Sequence, residues 1–166
     1  MDSADGAAPR TRRDWVGLGV SLALVLVVSV VGGLVTADSV EGWYRTLEKP
    51  AFNPPDWLFG PVWTLLYVMM AVAAWRVWRR AGWRNGRAAL GLYGAQLALN
   101  LGWTLLFFGA QRPAWALAEL VVLFAAIAVT ALAFFRHDRV AALLLAPYAA
   151  WVAFAGVLNA AIVWLN

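Results

Sequence analysis

The 166-residue sequence predicts an all-α integral membrane protein, a bundle of five transmembrane helices. Three observations lead there. Hydrophobic residues make up 63% of the chain and charged residues 13%, against about 45–50% and about 25% in soluble domains. A bilayer core needs roughly 20 consecutive apolar residues per helix, and five stretches meet that length. No ten-residue alternating pattern occurs, which excludes a β-barrel.

Residues 1–14 mix Ala, Gly, Ser, Asp, Pro and Arg and are expected to form a disordered tail ahead of one membrane domain, 15–166. The first span runs over about 15–35. Arg12-Arg13 before it is similar to the start of a signal peptide, with a cleavage site near Ala37. The apolar run exceeds an h-region of about 7–15 residues, so a retained helix is expected. The second span covers 57–75, with Pro61 in its first turn where a missing N–H is harmless. The third covers 88–109 and the fourth 114–135, opened by Pro113. The fifth covers 140–165, with Pro147 inside it as an expected kink. Links of a few residues make the last three spans antiparallel neighbours.

With five spans, the N-terminus and loops 2–3 and 4–5 share one side. That side holds Arg10, Arg12, Arg13, Arg76, Arg79, Arg80, Arg84, Arg87, Arg136 and Arg139, ten of the thirteen basic residues. The bias predicts a cytoplasmic N-terminus and an outer C-terminus. The 76–87 cluster reads as this topology signal, with a lipid-headgroup site as the alternative.

Cysteine is absent and His137 is the single histidine, which excludes thiolate chemistry and multi-histidine metal sites. No nucleophile–base pair, phosphate loop or metal spacing occurs. His137 is expected in a solvated link, and no nucleic-acid partner is expected. Glu119 is the single ionisable residue inside a span, a functional candidate by default. Its place near the helix start also allows it to reach the interface or pair with Arg112.

Loop 1–2 is about twenty residues long, stiffened by Pro50, Pro54 and Pro55 and rich in aromatics: Trp43, Tyr44, Phe52 and Trp57. It is expected to fold as a lid, the alternative being an interfacial aromatic belt. Gln96, Asn100 and Thr104 share one face of the third span, and Trp151, Ala155 and Asn159 one face of the fifth. Amides facing lipid cost several kcal/mol each on the order-of-magnitude scale, so both faces should point inward. They suit helix packing beside Gly94, Ala95, Gly102, Ala153 and Gly156. With Trp63, Trp103, Trp115 and Trp151 they equally suit a flat aromatic ligand.

The blocks Trp43-Tyr44, Lys49-Pro50, Asn53-Pro54-Pro55-Asp56-Trp57, Gly60-Pro61-Val62-Trp63-Thr64 and Tyr67 resemble the signature of the TspO/MBR family. Gly91-Leu92-Tyr93, Gln96 to Asn100, Trp103, Phe107-Phe108-Gly109, Trp115-Ala116-Leu117, Pro147-Tyr148, Trp151 to Ala155 and Leu158-Asn159 continue the resemblance over about residues 42–165. It implies a five-helix bundle, usually a homodimer, with a pocket under loop 1–2 for porphyrins such as protoporphyrin IX and haem precursors. The positions implied for the pocket are Tyr44, Phe59, Gly60, Val62, Trp63, Asn100, Trp103, Trp115, Ala118, Trp151 and Ala155. Trp63 and Trp151 stand where light-dependent porphyrin breakdown is implicated. The cholesterol pattern at the end of the family's fifth helix is missing from 157–166, which argues against cholesterol and suits a bacterial source.

The function expected is therefore a tetrapyrrole-binding membrane sensor or transporter in contact with lipid, requiring no cofactor beyond the porphyrin as ligand. The alternatives are a porphyrin photo-oxidising protein, with Trp63 and Trp151 as the reactive side chains, and a scaffold whose polar faces only pack helices.

Overall fold

A computed structural model describes residues 10–166. Residues 1–9 of the expected tail lie outside the described residues, and from Arg10 the chain is already helical. Helix α1 spans Arg10–Glu41. At 1.5 Å per residue its 32 residues reach about 48 Å, well beyond the expected 15–35 and the bilayer core. A single turn, α2 (Trp43–Thr46), and an irregular stretch over 47–55, with a turn closed by Asn53 N donating to the Pro50 carbonyl, make up loop 1–2. Helix α3 then runs from Asp56 to Thr104 and continues as a π-helix over Leu105–Gly109. Helix α4 is Pro113–Phe135. The last span comes in two pieces, α5 (Arg139–Leu144) and α6 (Ala146–Leu165). Among the described residues there is no strand.

The 49 residues of α3 are two spans, not one. Gly82 sits at φ 67°, ψ −179°, a conformation open almost only to glycine, and there the chain reverses. The arms 56–81 and 83–104 then meet face to face: Tyr67 donates to Asn100 Oδ1 at 2.7 Å, and Gln96 lies 3.9 Å from the sulfur of Met70. The arginine-rich segment 76–87, expected as a loop, is helix on both sides of this one residue. Its arginines occupy the helix ends, where they reach water without breaking the backbone ladder. The break before Pro147 follows the expected kink. The proline ring would collide with the preceding turn, and the helix restarts at Ala146 with Pro147 in its first turn.

The core fills the half of the bundle near Gly82. Met70, Ala71, Ala74 and Val77 of the first arm pack on Ala89, Tyr93 and Leu97 of the second. Leu120, Leu123, Ile127 and Phe134 of α4 and Leu145, Tyr148 and Val152 complete it. The alanines let the backbones approach closely, as packing between helices in lipid requires. Among its described side chains, helix α1 contributes only Val25 and Ser39 to the buried set. It is held near Gly82 by Trp75 Nε1 donating to the Asp14 carbonyl at 2.8 Å, and by the Trp78 indole lying on Gly17.

Exposed tryptophans gather at the two ends. Trp15 and Trp83 belong to the arginine end, and Trp57, Trp115 and Trp164 to the other. These are the two interfacial belts of a spanning protein.

Candidate functional site

Away from Gly82 the bundle is hollow. A cavity of about 400 Å³ lies beneath loop 1–2, between α1, both arms of α3 and α6. The first arm supplies Phe59, Trp63 and Tyr67, four residues apart and so on one face. The second supplies Trp103 and Thr104, and the π-helix Phe107 and Phe108. Helix α6 supplies two stripes, Trp151-Ala155-Asn159 and Phe154-Leu158-Ile162. Room comes from small side chains: Ser29, Gly32 and Gly33 on α1, Gly60 and Thr64 on the first arm, and Ala155. Gly33, Gly60 and Thr64 line the cavity and are exposed as well, so it opens sideways between α1 and α3.

The π-helix shapes the roof. Its wider turn closes with Ala110 N donating to the Leu105 carbonyl at 2.7 Å. This brings Phe107 and Phe108 together at 4.8 Å between ring centres, and Phe107 stacks on Trp103 at 5.3 Å. Tyr44 of α2 is buried on that pair, 5.7 Å from Phe108 and 6.3 Å from Phe107. Its hydroxyl donates to Asn53 Oδ1 at 3.0 Å, and the Lys49 ammonium sits 4.5 Å over its ring. Burial and the charge of Asp56 push the Tyr44 hydroxyl up to about 12, against a smaller opposing effect from Asn53. Phe52 touches Phe154 at 6.4 Å. At its far edge the loop is clasped: Glu48 N donates to Asn166 Oδ1 and Asn166 Nδ2 donates to the Glu48 carbonyl, each at 3.0 Å.

Of the residues implied by resemblance, Tyr44, Phe59, Gly60, Trp63, Trp103, Trp151 and Ala155 line the cavity. Four do not. Asn100 is buried one layer behind, holding the Tyr67 hydroxyl, and Val62 packs on the core beside Trp63. Trp115, 69% exposed, and Ala118 face outward, because the buried stripe of α4 is Ala116-Leu120-Leu123-Ile127 and both lie off it. Trp57, expected in the loop but placed in the first turn of α3, also faces outward, 72% exposed. Tyr67 and Phe154 were not among the expected pocket residues. Tyr67 stands four residues after Trp63, a spacing that could have placed it on the same face.

Three polar atoms on the cavity wall, Trp103 Nε1 and both amide atoms of Asn159, are buried without a partner among the described residues. Glu119 does not pair with Arg112. Its carboxylate oxygens are buried without a partner, and Oε1 lies close to the Gly102 position on the second arm. His137 is half-buried, and its neighbour Asp138 is buried. Among the described residues no three His, Cys, Asp or Glu side chains converge on a metal position.

A multi-span helical membrane protein, hollow at one end and roofed there by a folded aromatic loop, is the class these features define. A family model described as the TspO/MBR family matches residues 21–165. The "Tryptophan-rich protein TspO" of Chlorobaculum tepidum is 44% identical over 151 residues, 90% of this chain and 95% of that protein. That of Archaeoglobus fulgidus is 41% identical over 149 residues, 90% and 96%. The "Translocator protein" of Sus scrofa is 42% identical over 139 residues, 80% and 82%. The chain belongs to the TspO/MBR family, whose members are membrane sensory and translocator proteins.

Proposed function

We propose that the protein binds a tetrapyrrole such as protoporphyrin IX in the cavity beneath loop 1–2 and acts as its sensor or carrier, with the arginine end in the cytoplasm. The observation that carries this reading is the wall itself. Trp63, Trp103 and Trp151 come from three different helical segments and all border the cavity, a lining suited to a flat aromatic ring. The volume falls within the roughly 300–1,000 Å³ of small-molecule sites, and the side opening lets a ring larger than the enclosed space extend toward α1 and lipid. Trp103 Nε1 and the Asn159 amide supply two donors and an acceptor for polar groups at the ring's edge.

Titration of the purified protein with protoporphyrin IX is expected to quench tryptophan fluorescence saturably. Trp63→Ala and Trp151→Ala should each weaken binding about tenfold, from one lost aromatic contact of roughly 1–1.5 kcal/mol. Trp115→Ala should leave affinity unchanged. Quenching that never saturates, or that Trp115→Ala reduces equally, overturns the reading and leaves a scaffold.

A photochemical reading draws on the same wall, since Trp63 and Trp151 both border the cavity. Under light and dioxygen, porphyrin loss faster than in a detergent blank, abolished by Trp63→Phe, supports it.

A further inference from the structure

We propose that the arginine end carries a binding site for one anionic phospholipid, its phosphodiester held by Arg80, Arg136 and Arg139 in the groove beside Asp138. The groove is open and about 500 Å³ in volume, formed where the turn between α4 and α5 meets the end of the first arm. Asp138 is buried at its floor, and its bonding capacity is taken. Oδ2 accepts from Arg76 Nε at 2.9 Å and pairs with Arg80 Nε at 3.1 Å, while Oδ1 accepts from the amides of Val140 and Ala141. One carboxylate therefore faces two arginines inside, and Arg136 and Arg139 stand on the rim with no acidic partner among the described residues. Positive charge left over in a concave site attracts an anion.

The surroundings select a lipid over a soluble anion. Phe135, Val140 and Leu143 continue from the groove as an exposed apolar strip, 52%, 47% and 67% accessible. The Arg139 guanidinium lies over the Phe135 ring at 5.4 Å, so charge and strip adjoin. Trp15 and Trp83, exposed at the same end, mark the depth of the headgroups. A phosphodiester in the groove would lay its acyl chains on that strip, a placement that inorganic phosphate cannot use.

The test is native mass spectrometry of the full chain from nanodiscs containing equal phosphatidylglycerol and phosphatidylcholine. The expected result is one retained phosphatidylglycerol per chain, reduced about 30-fold in occupancy constant by the double variant Arg136→Gln/Arg139→Gln, since each arginine near an anionic lipid is worth about fivefold. Both residues lie outside the Asp138 pairs, so the variant keeps its fold, and circular dichroism with unchanged thermal melting verifies it. Arg45→Gln/Arg112→Gln at the opposite end should change nothing. Equal retention of the two lipids, equal loss in both double variants, or displacement by millimolar inorganic phosphate each overturns the proposal.

Discussion

The two ends of this bundle solve opposite problems with the same helices. Near Gly82, small residues bring the backbones together, and Asp138 ties the turn between α4 and α5 to the first arm through Arg76 and Arg80. Near loop 1–2, the same α3 and the last span part around a cavity, and large rings replace alanines at the contacts. At the closed end the Asp138 carboxylate meets its partners, although Tyr93 Oη and Gln96 Oε1 are buried there without one among the described residues. At the hollow end Trp103 Nε1 and the Asn159 amide lack them. Stability belongs to one end and recognition to the other, so substitutions should separate the two properties.

The largest effect is expected from Asp138→Ala. It strands two arginines and uncaps α5, and should cost about 3 kcal/mol, the low end for a broken buried pair because both arginines reach solvent. Unfolding in detergent reads it, and affinity for protoporphyrin at a temperature where the variant stays folded should not move. Burial raises the Asp138 carboxyl, but the Arg76 hydrogen bond and the Ala141 and Val140 amides outweigh it and hold the group below its ordinary value. The contribution is therefore full above about pH 4 and lost as pH falls through the lowered value. Acid sensitivity in that window should vanish in Asp138→Asn.

Next comes Gly82→Ala. A side chain at φ 67°, ψ −179° should cost about 2 kcal/mol and lower the melting temperature without touching the cavity. A smaller effect is expected at the hollow end from Asn166→Ala. Losing the clasp on Glu48 should raise loop opening about fivefold, near 1 kcal/mol, seen as faster hydrogen exchange over 43–57 with unchanged global unfolding. The smallest concerns Tyr44. Its hydroxyl is raised to about 12, so the folded loop favours the protonated form. That stabilisation is complete below about pH 10 and disappears as pH rises toward 12. Loop exchange should quicken across that interval in the native protein and stay level in Tyr44→Phe.

The spans were legible because lipid imposes length on any helix that crosses it, and the resemblance blocks rest on aromatic and proline residues at fixed spacings. Finer features were not. The turn at Gly82 hides in 76–87 because arginines at helix ends and arginines in a loop read alike, and one glycine carries the reversal. Asp138, beside the His137 expected in a solvated link, drew no expectation of its own, since its partners lie about sixty residues earlier. Trp115 and Ala118, implied for the pocket by resemblance, lie off the cavity lining for a physical reason. A helix apolar on every side shows no stripe in its sequence, so neighbours alone decide which face is covered. Where polar residues broke that uniformity, as in Trp151-Ala155-Asn159, the inward face was readable.

Helix α1 packs along α3 yet buries few of its own side chains, which bears on how the protein is assembled. The core closes with the other four spans, and α1 adds Val25 to it while forming one wall of the cavity. The first span is made first yet has little to pack on until the Trp75 and Trp78 rings arrive to receive Asp14 and Gly17. The cavity therefore requires α1 docked along α3. A chain severed within 47–55 and supplied as two pieces should rebuild the same site.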